Sequence, residues 1–490
     1  MKTENPKNSQ IISVKIGGPA GTGIKSIGLL FAKLAARSGY QIYNHIEFPS
    51  LVRGGHNVMQ VNFSTQEVTA PRKTSDLLIA LDQNTLTLHF SELLAGAGVI
   101  FDSDDNLDTS KLDKKVNLYG IPLTKIAEET GGKELFINTV ALGTVVGLLG
   151  GNLETLKKLI EEEFKDKDEE TIKCNEHAAQ EGYNYVLKNY AANIKDYLKP
   201  IDTSSSPVSY MVLNGSEAAA LGAISAGMQF AAIYPMSPIS NILHVLAANQ
   251  EKYGYIYKQP EDELSAINMA IGASFAGARS LTATSGGGFC LMTEGYGLAG
   301  MTEAPVVIIE GMRGGPATGL PTWSEQGDLQ FVLHAHQGDF PRIVLAAGDI
   351  KEAFELTMQA FNLADKYQTP VVVLVDKNIC ENDQSYLFFD TSGYKIDRGK
   401  FSQEVIADYM RYKYQPDGIS LRTVPGSGNF FITNSDEHDQ FGYSTDEVET
   451  RNQMMQKRTY QYQKDMCLIE IAKYLIQICM FQDFLTLRWK

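Results

Sequence analysis

Apolar and polar positions follow two rhythms along this chain, and each rhythm marks an element. Residues 11 to 17 form a short β-branched run that ends in glycines, and an apolar stretch of helical period follows from Ile24 to Arg37. The pair predicts a strand, a glycine turn and a helix. Apolar runs at 77–81 and 97–101, with helical periodicity at 153–164, extend an α/β pattern to about residue 190. These elements define a first domain, 11–190. Composition then shifts to Lys199-Pro200 and to Thr203-Ser204-Ser205-Ser206-Pro207, which places a linker over 191–207.

From Val208 the alternation becomes regular. Strands are expected at 230–236, 280–285, 305–311 and 370–376, and helices at 216–229, 238–249, 262–278, near 290–300 and at 351–367. That order predicts a second α/β domain over 208–385, a mostly parallel sheet covered by helices. Ligands in such sheets gather outside the carboxyl ends of the strands, so the loops after 236, 285 and 311 are the places to look for chemistry. Beyond about 385 the chain turns polar, aromatic and irregular until an apolar stretch, Cys467 to Leu487, whose interruptions by Glu470, Lys473, Gln477 and Asp483 fit an amphipathic helix. The region 386–490 is therefore expected to be an irregular extension with a helical tail.

Composition narrows the function classes. Lys+Arg of 43 against Asp+Glu of 58 gives a formal charge of -15, which disfavours a nucleic-acid-coating role or attraction to anionic lipid. The five cysteines, Cys174, Cys290, Cys380, Cys467 and Cys479, contain no C-x-x-C pair. Neither a disulfide framework nor an iron–sulfur or zinc ligand set is visible in that spacing. The polar start, Met1 to Gln10, has no signal-peptide core, and no stretch reaches ~18 uninterrupted apolar residues. The expectation is a cytoplasmic protein that does not enter a membrane.

Five loops carry candidate chemistry. Gly17-Gly18-Pro19-Ala20-Gly21-Thr22-Gly23-Ile24-Lys25-Ser26 is a glycine-rich turn into a helix N-terminus, the backbone form that cradles phosphates. It nearly matches a nucleotide-binding P-loop, with Leu77 to Leu81 before Asp82 as a magnesium-holding strand, but Ile24 separates the last glycine from Lys25 and rotates the lysine by roughly 100°. Arg53-Gly54-Gly55-His56 is a polar loop in which His56 has no clear partner set. In the second domain Tyr234-Pro235-Met236-Ser237-Pro238 ends a strand, with Ser237 placed to cap the next helix and Pro238 at its first position. Glu263 opens the following helix, where an acid also suits the macrodipole. Thr284-Ser285-Gly286-Gly287-Gly288 and Arg313-Gly314-Gly315-Pro316-Ala317-Thr318-Gly319-Leu320-Pro321-Thr322 end the next two strands. Hydroxyls, glycines and one arginine on neighbouring strand ends suit an organic anion, with Arg313 and Thr322 able to hold a carboxylate.

Together, the YPMSP loop, the Glu263 helix, TATSGGG and RGGPATGLPT resemble the α subunit of the 2-oxoacid:ferredoxin oxidoreductases. GGPAGTG and EFPSLVRGGHN are similar to that family's γ subunit, fused ahead of α. The resemblance implies a thiamine diphosphate enzyme that decarboxylates a 2-oxoacid and makes an acyl-CoA, in a pyrimidine-binding domain over 208–385. It implies that Glu263 contacts the pyrimidine nitrogen, sharing a proton that promotes deprotonation of the thiazolium carbon. It places Tyr234, Pro235, Ser237, Pro238, Ser285 and Gly286 at the cofactor, and Ser237, Arg313 and Thr322 at the substrate. CoA is the implied cosubstrate and ferredoxin the acceptor.

Some positions depart from the family's pattern. Ser237 stands where threonine is usual, Gly287 where proline is and Ala317 where serine is, and the chain has no Gly-Asp-Gly. The resemblance implies that pyrophosphate, Mg2+ and the [4Fe-4S] cluster are held by a partner β subunit in a hetero-oligomer, which the lack of Gly-Asp-Gly and C-x-x-C here agrees with. The last ~25 residues do not resemble the further α/β domain that the family adds, ~100 residues or more. A truncated, frameshifted or separately encoded domain is the corresponding expectation. By resemblance the fused arrangement leans toward 2-oxoglutarate, while pyruvate and branched-chain 2-oxoacids are equally compatible with the residues themselves. The competing readings are a P-loop-like ATPase and an inactive scaffold remnant of the oxidoreductase.

Overall fold

The structure, a computed structural model, describes residues 10–463 apart from 51–54, 106, 111, 113–114, 132–135 and 202–208. Arg53 and Gly54, the hydroxyl-rich run at 203–207 and the amphipathic tail expected over 467–487 lie outside the described residues. Contacts group the chain into two units, Met1–Leu213 with Asn382–Phe389, and Asn214–Glu381 with Asp390–Lys490.

Strands are numbered along the chain. The first unit holds β1 (Ile12–Pro19), β2 (Gln41–Glu47), β3 (His56–Ser64), β4 (Ser75–Ala80), β5 (Leu93–Asp102), β6 (Asn117–Ile121), β7 (Met211–Leu213) and, from much later, β14 (Gln384–Tyr386). Their order in the sheet is β6-β5-β4-β1-β3-β2-β14-β7. β1, β4, β5 and β6 run parallel, whereas β3 lies antiparallel to β1 in the register Ile12↔Phe63 to Pro19↔His56. The expected strand–turn–helix is present, its helix spanning Ile24–Arg37 with Leu30, Phe31 and Leu34 in the core. Unforeseen from sequence were the β2–β3 ribbon and the helix Ile137–Leu148, which is buried from Asn138 to Leu148 and has no amphipathic signature. That helix lies against Glu169–Asn189 through two glycines. A Cβ on Gly143 would come within 1.9 Å of the Ala179 carbonyl, and one on Gly182 within 2.1 Å of the Val140 carbonyl.

The second unit holds β8 (Phe230–Ala232), β9 (Ile256–Lys258), β10 (Ser280–Ser285), β11 (Val306–Met312), β12 (Ile343–Ala346) and β13 (Pro370–Asp376), in the order β12-β13-β11-β10-β8-β9. Every recorded pairing in this sheet is parallel, as the alternation of the sequence predicts. The helices Glu263–Phe275, Gly286–Met301 and Ile350–Tyr367 bury apolar faces against it.

The chain divides differently from the boundaries at 208 and 385 drawn from composition. Met211–Leu213 and Gln384–Tyr386 pair with one another, and Gln384 pairs with Tyr43 of β2, so both short segments belong to the first sheet. Pairing between segments so distant in sequence leaves no local trace in composition. The described residues 390–463 group with the second unit. Buried ion pairs tie them in: Arg422 Nη2 to Asp365 at 2.9 Å, and Lys457 to Glu303. The helix Val448–Gln463, which the sequence left irregular, carries Lys457 into that core.

Candidate functional site at the strand ends of the second unit

β8, β10 and β11 are adjacent, so the three loops singled out in the sequence leave one edge of the sheet side by side. The loop after β8 does not cap its helix as expected. The Ser237–Pro238 bond is cis, the Ile239 amide donates to the Met236 carbonyl at 3.0 Å, and the helix begins only at Ser240 with no side-chain cap. Pro238 and Ile239 are buried and fill the space beside Gly311. Tyr234 and Ser237 are half-buried and Pro235 is exposed. The Ser237 carbonyl accepts a hydrogen bond from Arg313 Nη1 at 2.7 Å, joining the first and third loops.

Glu263 opens the helix Glu263–Phe275 but does not serve it. Asp262 is the cap, its Oδ1 accepting from the Ser265 amide at 2.7 Å. Glu263 is instead 3% exposed and turned toward the glycine-rich start of the next helix. A Cβ on Gly288 would meet Thr284 Oγ1 at 2.1 Å and Glu263 Oε1 at 2.5 Å, so only glycine leaves room for the carboxyl there. Glu263 Oε1 is buried with no hydrogen-bond partner. Ser285 stands at the N-cap of Gly286–Met301, yet its hydroxyl makes no cap bond and is likewise buried and unpartnered. Buried polar atoms are normally satisfied, so two orphans beside one glycine turn point to a ligand that supplies their partners.

The third loop closes on itself. Gly314 bridges Leu320, the Leu320 amide donating to the Gly314 carbonyl at 2.7 Å, and the Trp323 amide donates to the Leu320 carbonyl at 3.1 Å. Arg313 sits half-buried at its opening limb, where burial draws its guanidinium below its ordinary value, and Thr322 is buried in its closing limb.

Two acids that sequence reasoning passed over join this group. Glu310 lies on β11 in register with Thr284 of β10, is fully buried, and accepts no hydrogen bond on either oxygen. Asp328 packs so closely on the second loop that a Cβ on Gly286 would meet its Oδ2 at 2.6 Å. Burial, with the Asp328 carboxylate facing it, pushes Glu310 well above the usual carboxyl range. A single acid inside the apolar run Val306–Met312 was the available sequence signal.

The residues fit the aminopyrimidine end of a thiamine-type cofactor. An unpartnered buried carboxyl can share a proton with a ring nitrogen, and the neighbouring glycines leave the space a ring needs.

In the first unit, the glycine turn does not form a nucleotide pocket. Lys25 points to solvent, the Thr22 carbonyl is taken by Asn138 Nδ2, and Asp82, the acid a magnesium ion would need, caps the helix Gln83–His89 by accepting from the Thr85 amide at 2.8 Å. His56 does have partners, which its sequence neighbourhood hides. Its Nε2 lies 2.9 Å from His89 Nε2, His89 Nδ1 lies 2.9 Å from Glu92, and Glu92 pairs with buried Lys15. Burial lowers both imidazoles below the ordinary 6.5, helped for His56 by His89 and for His89 by Lys15.

Comparison with known proteins agrees with this geometry. Residues 221–457 match the family model for the thiamine-diphosphate-binding part of pyruvate flavodoxin/ferredoxin oxidoreductase, and residues 13–185 match that for pyruvate ferredoxin/flavodoxin oxidoreductase. The chain is 34% identical over 504 residues to the 2-oxoacid:ferredoxin oxidoreductase subunit alpha of Sulfolobus sp, an alignment covering 91% of this chain and 77% of that one. It is 48% identical over 166 residues to the 2-oxoglutarate synthase subunit KorA of Archaeoglobus fulgidus, covering 34% of this chain and 48% of that one. Its fold superimposes with a TM-score of 0.84 and 30% identity on the 2-oxoglutarate:ferredoxin oxidoreductase of Magnetococcus marinus, solved with 2-oxoglutarate, coenzyme A and succinyl-CoA bound; the match covers 95% of this chain and 80% of that one. The chain belongs to the α-subunit family of the 2-oxoacid:ferredoxin oxidoreductases. A P-loop ATPase is not favoured. Among the described residues no helix is long and apolar enough to cross a membrane.

Proposed function

We propose that this chain is the fused γ–α subunit of a cytoplasmic hetero-oligomer that oxidatively decarboxylates a 2-oxoacid to acyl-CoA and CO2 and passes the electrons to ferredoxin. In this reading 11–190 is the γ-type domain and the second α/β unit holds the pyrimidine half of thiamine diphosphate. The cofactor, when bound, supplies the electron sink for loss of CO2. The observation that carries the proposal is the buried, unpartnered Glu263 carboxyl, which its own helix does not need because Asp262 caps it.

The roles follow from placement. Glu263 holds a proton at the ring nitrogen in a site shielded from water, where such sharing is strongest. Ser285 and Gly286, with Tyr234, Pro235, Ser237 and Pro238, would hold the cofactor. Arg313, with Ser237 and Thr322, orients the 2-oxoacid through its carboxylate. A β subunit supplies Mg2+, the pyrophosphate contacts and the [4Fe-4S] cluster, and CoA accepts the acyl group. 2-Oxoglutarate is the favoured substrate, supported by the Magnetococcus and Archaeoglobus relatives, with pyruvate the second.

Viologen reduction tests the reading. The complex that co-purifies with this chain, given thiamine diphosphate and CoA, should reduce the dye with 2-oxoglutarate in preference to pyruvate and branched-chain 2-oxoacids. Absence of reduction with every acid, despite bound cofactor and an iron–sulfur partner, would move the scaffold-remnant reading to first place.

A further inference from the structure

We propose that Glu310 is a positioning residue of this site: an acid that keeps its proton, donates it to Asp328, and so fixes the Gly286 end of the glycine-rich helix while sparing Arg313 a second opposing charge. The proposal rests on the reading of these strand ends as the 2-oxoacid site and adds a residue to it.

The geometry is that of an acid with one available partner. β11 reads Val306-Val307-Ile308-Ile309-Glu310-Gly311-Met312 and is buried throughout, so Glu310 is the one ionisable side chain in it. An ionised carboxylate there, with no donor on either oxygen, would be a stranded charge, which proteins avoid by keeping the proton. Among the described residues, the groups that act on it from the surrounding elements carry no positive charge. They are Asp328, just ahead of the helix Leu329–His334, Cys290 on Gly286–Met301 and Cys380 on Lys377–Glu381. Burial raises both thiols, leaving them neutral. Of these only Asp328 can accept a strong hydrogen bond.

Asp328 is also the link outward. It lies against Gly286 and acts electrostatically on Arg313. A proton shared by Glu310 and Asp328 leaves the pair with one negative charge, held at the foot of the loop that Arg313 opens. Loss of that proton puts two negative charges where an anionic 2-oxoacid must approach.

The test has two arms. Infrared difference spectra of the cofactor-free full chain, wild type minus E310Q, should show the carbonyl stretch of a neutral carboxylic acid, lost on alkalinisation. In the assembled complex the KM for the 2-oxoacid should rise at alkaline pH in the wild type and stay flat in E310Q, whose amide still donates. E310L, of similar bulk but without a donor, should raise KM by about tenfold at every pH, the worth of one hydrogen bond to a charged group. A wild-type chain without the infrared band overturns the proposal. So do KM profiles for E310Q and E310L that coincide with the wild type, since a purely structural acid would alter melting and not the pH dependence. A band present with no turnover from any 2-oxoacid supports the shared proton while overturning the oxidoreductase reading beneath it.

Discussion

Gly288→Ala perturbs the site through one methyl group. The added Cβ would stand 2.1 Å from Thr284 Oγ1, 2.5 Å from Glu263 Oε1 and 2.8 Å from Glu263 Cγ, whereas ordinary contact begins near 3.4 Å. Glu263 must therefore retreat by roughly 1 Å, a displacement that can cost about 10²-fold in rate when it moves a group the chemistry needs. Overpacking adds roughly 1–3 kcal/mol of destabilisation, which the unit should survive. Gly287→Ala is the matched control, because a Cβ there would meet only the Ala317 carbonyl at 3.7 Å. Thiamine diphosphate titration of each variant, followed by turnover of the assembled complex and thermal melting, separates the effects. Gly288→Ala should melt several degrees below wild type yet remain folded, bind cofactor weakly and turn over slowly, and Gly287→Ala should behave as wild type in all three. Equal cofactor affinity and turnover in both would refute the placement of Glu263 against the cofactor.

Other consequences are equally open to measurement. Lys457→Ala strands the fully buried Glu303, leaving Arg411 3.7 Å away as its remaining ion-pair partner, and should cost about 3–5 kcal/mol in chemical denaturation; replacing both partners by Met and Gln should cost much less. The histidine pair of the first unit shares one proton between two Nε2 atoms, so both rings resist a second. Because their folded-state values lie below the ordinary 6.5, the unfolded chain binds more protons once the pH falls beneath 6.5. Stability is therefore full above 6.5 and is lost through the window below it. A His56→Gln, His89→Gln variant should show a flatter dependence of its denaturation midpoint on pH. Arg313→Gln should raise the KM for the 2-oxoacid about 10- to 100-fold, the range for losing a charged hydrogen bond, with a smaller change in kcat.

Where one period dominates, the fold was legible. The helix Ile24–Arg37 and the strands Ser280–Ser285 and Pro370–Asp376 follow the apolar pattern residue by residue. That β8, β10 and β11 would bring three unusual loops to one edge also followed from the alternation of strands and helices. What stayed hidden depends on distant partners or on the lack of any period. β14 finds its neighbours in β2 and β7, and Ile137–Leu148 is buried all round, so neither carries a face for pattern reading to find. That Asp262 caps the helix and leaves the Glu263 carboxyl to the site is shown by a hydrogen bond and not by the run of acids in sequence. Glu310 and Asp328 come from separate segments and meet only in the folded unit, as do His56 and His89.

Glu263→Gln in the assembled complex tests the central claim most directly. The substitution keeps the size of the side chain and removes the proton-sharing carboxylate, so it isolates chemistry from packing. Measured by 2-oxoacid-dependent viologen reduction with saturating thiamine diphosphate and CoA, turnover should fall by on the order of 10²–10⁴ while the complex stays assembled. Wild-type turnover in Glu263→Gln would contradict the account and leave the buried carboxyl without a role at the strand ends.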